Sequence, residues 1–190
     1  LELTDRFVSL SNEGFDIAIR HTDTLPETHV AWSLCETHSR LFASPTYLAQ
    51  HGIPSHPSEL TTHNCLLYLR DNQAGHWTFV RNEKQKPFVE NVDRVDVRVV
   101  GTLKVNNSEV LREALLADLG IGLLPNFSTL SNYGKSMATP LVAVLPDWQV
   151  KGFFGGHIYA LRPWSAHVPR TVQLFLEHLR QSFTQRFPLA

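Results

Sequence analysis

The chain has 190 residues, of which 43% are hydrophobic and 18% are charged, a composition typical of a folded protein and not of a disordered one. Seventeen Lys and Arg against eighteen Asp and Glu give a formal net charge of -1, which excludes the general attraction to polyanions that non-specific nucleic-acid binding needs. No apolar stretch approaches the roughly 18 to 20 residues that span a bilayer, and the first residues lack a signal-peptide pattern. With two cysteines, Cys35 and Cys65, in apolar surroundings, the expected compartment is a reducing cytoplasm.

The first fifty residues predict short helices and strands in alternation. An apolar pattern around residues 4–10 is followed by Gly14, which favours the left-handed conformation that closes a helix. Strands and one short helix with proline in its first turn then follow in the order 15–20 (strand), 30–34 (strand), 40–43 (strand) and 45–50 (helix). These lengths are typical of α/β units.

The next fifty residues predict a hairpin and one long strand. Residues 65–69 are a short apolar strand, and residues 77–80 pair with residues 87–89 across a polar turn. Beyond this hairpin, apolar and polar residues alternate from Val95 to Val105, which predicts a single strand with one buried face.

A strand–helix–strand–helix run follows that long strand. Asn106 and Glu109 fit a variant of the capping box before an apolar stripe at helical spacing, and Gly120 is predicted to end this helix. The all-apolar residues 121–125 read as a strand of a parallel sheet, and Asn126 begins a second helix. Residues 141–145 and 157–161 predict strands, and residues 169–183 predict a closing amphipathic helix.

Ten histidines raise the question of a metal or catalytic site. His51, His56 and His63 lie in a Pro- and Ser-rich loop without helical or strand register, and Cys35 with His38 is only half of a zinc pattern. No nucleophile elbow, zinc-protease motif or phosphate-loop motif is present. The sequence therefore predicts no metal, no cofactor and no enzymatic activity.

Polar residues at the ends of candidate parallel strands are the better candidates, because open α/β sheets bind ligands there. Arg20 can hold a carboxylate with both arms of its guanidinium, or form a surface ion pair. Asn106, Asn107 and Ser108 bring amides and a hydroxyl to the positive end of a helix, although Asn106 or Asn107 can serve as a simple cap. Asn126 can add an amide and Phe127 an aromatic wall, or Phe127 can belong to the core.

Four segments, in this order, resemble the effector-binding domain of LysR-type transcriptional regulators. They are Glu-Gly-Phe-Asp-Ile-Ala-Ile-Arg at 13–20, Arg-Leu-Phe-Ala-Ser-Pro-Thr-Tyr-Leu at 40–48, the run 101–125 with Val-Asn-Asn and Gly-Ile-Gly-Leu-Leu-Pro, and Val-Leu-Pro-Asp-Trp at 144–148. The resemblance implies an α/β fold of two Rossmann-like subdomains joined by two crossover strands, like a type II periplasmic binding protein. Subdomain I would combine residues 1–41 and 157–190, incomplete at its N-terminus, and subdomain II would span residues 42–156.

The same resemblance implies a function and a set of partners. A small anionic metabolite, with a carboxylate as the expected class, would bind between the subdomains against Thr4, Arg20 and the residues Asn106 to Ser108. Effector domains would pair side by side into a homodimer or tetramer. DNA would be bound only by an N-terminal winged helix-turn-helix that this chain lacks, and no membrane partner is expected.

Three other functions share this fold class. A solute-binding protein of a transport system would have a secretory leader upstream of Leu1. An enzyme on the same two lobes would need a nucleophile or an acid/base pair in the cleft, and the sequence offers none. An interaction domain without a small ligand would have its cleft filled by side chains such as Phe127 or His157.

Overall fold

A computed structural model describes residues 1–3, 9–69, 75–81, 93–129, 141–151 and 155–186. The chain divides into two compact units, one formed by Leu1–Thr37 with Phe154–Ala190 and the other by His38–Phe153. The chain therefore crosses from one unit to the other twice.

The first unit is built on a three-stranded antiparallel sheet of order β1-β11-β2. The C-terminal helix packs on β2 and buries Val172 and Leu176. Gly14, at a φ of 74°, closes the first short helix and its N–H donates to the carbonyl of Leu10. The elements of this unit are α1 (Leu10–Glu13), β1 (Ala18–His21), β2 (His29–Glu36), β11 (His157–Pro163) and α4 (Arg170–Arg186).

The larger sheet of the second unit has the order β7-β4-β8-β3-β9. Strand β4 runs parallel to both β7 and β8, whereas β3 runs antiparallel to its neighbours. Helix α3 packs on β8 through the fully buried Leu111 and Leu115, and Gly122 gives these side chains room. The elements are β3 (Ser39–Ala43), α2 (Pro45–His51), β4 (Cys65–Tyr68), β7 (Lys104–Val105), α3 (Ser108–Leu116), β8 (Ile121–Pro125), a 3₁₀ helix (Asn126–Thr129) and β9 (Val142–Val144).

A smaller antiparallel sheet of order β10-β5-β6 completes the second unit. Its inner face buries Trp77, Phe79 and Val97, and a 3₁₀ helix packs against β6. The elements are β5 (His76–Arg81), β6 (Arg94–Arg98), β10 (Trp148–Lys151) and the 3₁₀ helix (Pro57–Thr62).

The side chain of Asn64, just before β4, joins two loops of the second unit. Its amide donates to the hydroxyl of Thr102 at 3.0 Å and to the carbonyl of Leu119 at 2.6 Å, and its oxygen accepts from the N–H of Thr102 at 2.9 Å. The backbone is tightly packed here, since a Cβ on Gly101 would lie 1.8 Å from the carbonyl oxygen of Cys65. The loops before β7 and after α3 are therefore fixed to the start of β4.

The prediction of one strand from Val95 to Val105 is wrong. The chain forms β6 and β7, which belong to two different sheets. The turn between them brings Gly101 against the backbone of Cys65. Alternation of apolar residues continues through this turn, which is why the pattern hides the break.

The two ends of α3 also differ from the prediction. The cap is Asn107 and not Asn106, and its Oδ1 accepts from the N–H groups of Glu109 and Val110. The helix ends at Leu116 and not at Gly120, because Asp118 takes a left-handed φ of 62°.

Most of the remaining elements are confirmed. Gly14 ends α1, and Ser44 caps α2 by accepting through its hydroxyl from the N–H of Tyr47, with proline at the first helical position. Strand β1 begins at Ala18, later than predicted, and pairs antiparallel with β11 in the described part of the sheet. The partner of β5 is β6, and the predicted strand at 87–89 lies outside the described residues.

Candidate functional site

The polar residues predicted in the second unit lie at one edge of its larger sheet. Strands β7, β4 and β8 run parallel, so their carboxyl ends share this edge. Asn106 follows β7 and Asn126 follows β8. Tyr68 ends the strand between them, and its hydroxyl donates to the carbonyl of Asn106 at 2.9 Å. The predicted residues therefore follow strands whose carboxyl ends share one edge of the sheet.

The three residues at the start of α3 have different roles. Asn107 is occupied as the helix cap, accepting at 2.9 Å and 3.1 Å from two backbone N–H groups. In the part of the chain that the structure describes, the side chains of Asn106 and Ser108 have no hydrogen-bond partner, with Asn106 exposed and Ser108 half-buried. Asn106 and Ser108 are thus the groups that remain available to a ligand beside the positive end of the helix.

Asn126 is engaged with the chain segment that enters β3. Its N–H donates to the carbonyl of His38 at 2.8 Å, and its side-chain oxygen accepts from the N–H of His38 at 3.3 Å. Phe127 is half-buried in the 3₁₀ helix that packs against α3. Asn126 therefore stabilises the start of β3, which limits what its side chain can give to a ligand.

Arg20 lies in the first unit, on β1, where it is half-buried and paired in register with Tyr159. The next residue, His21, has its Nε2 2.7 Å from the hydroxyl oxygen of Thr37 and 2.5 Å from the carbonyl oxygen of Gly155. The Thr37 hydroxyl donates to the same carbonyl at 2.9 Å, so the ring of His21 is the donor through Nε2–H. Arg20 is therefore followed by a polar cluster at the end of its strand.

The same cluster fixes the backbone where β2 ends and β11 begins. The carboxylate of Asp23 accepts from the N–H of Gly156 at 2.5 Å, and the N–H of Thr37 donates to the carbonyl of Gly156 at 2.7 Å. A Cβ on Gly155 would lie 2.4 Å from the backbone of Thr22. Only glycine therefore fits at 155. The side chains of His21 and Asp23, at the end of β1, hold both segments that leave this unit.

Sequence reasoning missed several of these residues and could have found some of them. Tyr68 ends a buried strand, the signal that selected Asn106 and Asn126. His21 follows Arg20 directly, and its partners Thr37 and Gly155 are far away in the sequence, so only the fold reveals the cluster. Thr4 lies outside the described residues, and its role stays a prediction.

The histidines of residues 51–63 are not arranged as metal ligands. His51 stacks on Tyr47 with ring centres 4.3 Å apart, and the Nδ1 of His63 lies 3.3 Å from the Tyr47 hydroxyl. Within the described ranges no group of three or more His, Cys, Asp or Glu side chains could hold a metal ion. No helix in the same ranges is both long and apolar enough to cross a bilayer.

The chain has the α/β fold of the type II periplasmic binding proteins. The sequence profile of the LysR substrate binding domain matches residues 1–184. The chain belongs to this family, the domain through which LysR-type transcriptional regulators sense effectors, and its role is regulatory and not enzymatic. The family and the fold class expected from the four sequence segments are confirmed.

Two relatives agree with this membership. The chain is 30% identical over 188 residues to the HTH-type transcriptional regulator DmlR of Escherichia coli K12, covering 98% of this chain and 56% of that protein. It is 27% identical over 182 residues to the probable HTH-type transcriptional regulator LtrA of Klebsiella pneumoniae, covering 96% and 55%. The chain thus spans a little over half the length of these relatives.

Two solved structures share the fold. One is the full-length Vibrio cholerae virulence activator AphB, with a TM-score of 0.73 at 24% identity over 96% of this chain and 57% of that chain. The other is the regulator CrgA of Neisseria meningitidis, also with a TM-score of 0.73, at 22% identity over 95% and 56%. At this level of identity the two structures support the fold alone.

Proposed function

We propose that this domain senses a small anionic effector, with carboxylates as the first class to test, and that Asn106 and Ser108 bind it. The observation that carries the proposal is the difference among three adjacent polar residues. Asn107 satisfies the first amides of α3, whereas the side chains of Asn106 and Ser108 have no partner among the described residues. An anion at this position gains from the helix dipole and from two neutral donors.

Arg20 supplies the charge in this proposal. A guanidinium can hold a carboxylate through two parallel hydrogen bonds, which gives both affinity and orientation. Arg20 belongs to the first unit and Asn106 to the second, and the expectation that one effector contacts both comes from the family resemblance. Thr4, Asn126 and Phe127 complete the proposed set, with Asn126 acting mainly through its hold on His38.

The two units correspond, in this proposal, to the two subdomains of the family. The boundaries expected at 41/42 and 156/157 fall a few residues beyond those of the compact units. Differential affinity of the effector for one arrangement of the subdomains would shift the population of states, and a coupling of about 1 to 3 kcal/mol is sufficient for regulation.

The whole protein would then act as a transcriptional regulator in the cytoplasm. LysR-type regulators bind small-molecule effectors and DNA and form oligomers, and the two relatives above are named as helix-turn-helix regulators. For this protein we propose DNA binding through a segment outside this chain and pairing of effector domains into a dimer or tetramer. The near-neutral net charge of this chain agrees with that division of labour.

Calorimetric titration against a library of small carboxylates tests the site. Ser108→Ala, Asn106→Ala and Arg20→Ala should each weaken the best carboxylate by about tenfold, the effect of losing one good hydrogen bond or more. Ser182→Ala, Asn12→Ala and Arg180→Ala are matched controls on α4 and α1 and should bind like the parent protein. Unchanged affinity in all three site variants would refute the assignment.

A further inference from the structure

A second polar groove lies entirely within the second unit, away from the strand-end site. It has a volume of about 530 Å³ and opens between residues 55–56, just before the 3₁₀ helix Pro57–Thr62, and the small sheet β10-β5-β6. The lining residues that matter here are His56, Arg81, Asp93, Arg94, Val95 and Trp148. The volume lies within the range of small-molecule binding sites.

The indole of Trp148 organises one wall of the groove. Trp148 pairs in register with Arg81 across β10 and β5, and the Arg81 guanidinium lies 5.8 Å from the centre of the indole ring. The ring of His56 meets the same indole edge-on, with ring centres 5.3 Å apart. The guanidinium therefore lies over the indole ring as a cation–π pair, and the apolar Val95 lines the same groove.

The imidazole of His56 presents a hydrogen-bond donor. Its Nδ1 accepts from the backbone N–H of Ser58 at 3.3 Å. A nitrogen that accepts an amide proton carries none of its own, so the neutral ring has its proton on Nε2. The groove is thus lined by an N–H donor in addition to two guanidinium groups.

Arg81 keeps most of its hydrogen-bonding capacity. Among the described residues, its ion pair is a single 3.5 Å contact with Asp93, and both side chains are more than half exposed, a pair that contributes little stability. Arg94, in contrast, binds Asp96 through both Nε and Nη2. Asp96 also accepts from Thr78, and these two partners lower the pKa of its carboxyl, so Arg94 is paired through two nitrogens where Arg81 is paired through one.

We propose that this groove binds a planar aromatic carboxylate, with the carboxylate on Arg81 and the ring against Trp148 and Val95. The Nε2–H of His56 is the second donor to the carboxylate. Arg81 makes only one long contact with Asp93 in the described part of the chain and is therefore the cation that an anion would pair with, and the indole selects a flat apolar body over acetate or phosphate. The site is separate from Asn106 and Ser108 and would give the regulator a second input.

The indole N–H of Trp148 is the probe for the test. The protein labelled with ¹⁵N is titrated with benzoate at constant ionic strength, up to about 50 mM, well above a millimolar Kd. Trp148→Phe assigns the indole signal among the four tryptophans of the chain. We expect a saturable shift of the Trp148 signal with benzoate, a smaller response to acetate or inorganic phosphate, and none to benzyl alcohol.

Charge variants separate this site from general electrostatics and from the effector site. Arg81→Gln should weaken benzoate about tenfold, whereas Arg98→Gln, an equal charge loss on an exposed arginine of β6 outside the groove, should leave the affinity unchanged. Equal weakening by both variants, or tight binding of phosphate, would overturn the proposal. Loss of the benzoate response in Ser108→Ala would overturn it as well, by placing the ligand at the strand-end site.

Discussion

Replacing Asn107 by alanine should destabilise the domain, although Asn107 sits in the middle of the polar triplet at the start of α3. Its Oδ1 accepts from the N–H groups of Glu109 and Val110 at 2.9 Å and 3.1 Å. Loss of an asparagine cap costs about 1 kcal/mol. In a protein of this size that loss lowers Tm by about 2 to 4 °C.

The assay compares three variants by urea unfolding and by amide hydrogen exchange. Asn107→Ala should lower the free energy of unfolding and speed exchange at the N–H groups of Glu109 and Val110. Asn107→Ser keeps a capping oxygen and should restore most of the loss. Asn106→Ala removes an exposed side chain that has no partner in the described structure, so its effect should stay below about 0.5 kcal/mol.

Two results would refute this reasoning. If Asn106→Ala were as destabilising as Asn107→Ala, the cap would lie one residue earlier, as the sequence alone suggests. If Asn107→Ala left stability unchanged but weakened carboxylate binding more than Asn106→Ala does, Asn107 would be the ligand residue.

Three further predictions concern packing, a thiol and pH. Gly101→Ala should lower the free energy of unfolding by at least about 3 kcal/mol, because its Cβ would lie 1.8 Å from the carbonyl oxygen of Cys65. Gly14→Ala, with open space around its Cβ and a φ of 74°, should lower it by only about 1 kcal/mol. Equal unfolding midpoints for the two variants would contradict this prediction. Burial raises the pKa of the Cys65 thiol to about 12, so Ellman's reagent should modify Cys65 only at the rate of unfolding, and fast labelling of the native protein would disprove it. Burial, and secondly the neighbouring His51, lower the pKa of His63; the unfolded imidazole therefore binds protons more readily, and stability should fall as pH drops through about 6.5 and level off below the folded pKa. Urea midpoints between about pH 7.5 and 5 should show this decline in the parent protein and a flatter profile in His63→Gln.

Local signals predicted much of the fold. Gly14 and the Ser44-Pro45 pair carry their own conformational preferences, so α1 ends and α2 begins where the sequence indicates. The break between β6 and β7 could not be predicted, because it depends on the approach of Gly101 to Cys65, which is distant in the sequence. Periodicity reports which face is buried, and two strands in different sheets can continue the same alternation.

The candidate site, like the fold, was only partly predictable from the sequence. A polar residue after an apolar strand is visible in the sequence, which is how Asn106, Ser108 and Asn126 were selected. The sequence does not show which of several adjacent polar groups the fold itself uses. That Asn126 is committed to His38 follows from the pairing of β3 with β8, a contact across 88 residues of chain.

The hold of Asn64 on two loops has a practical consequence for engineering this protein as a biosensor. Exposed turns are the usual places to insert a fluorescent protein, and Thr102 and Leu119 are both exposed. Because one amide side chain fastens both turns to the start of β4, an insertion at either turn would disturb the other turn and β4. The same amide makes these two surface positions poor places for a fusion.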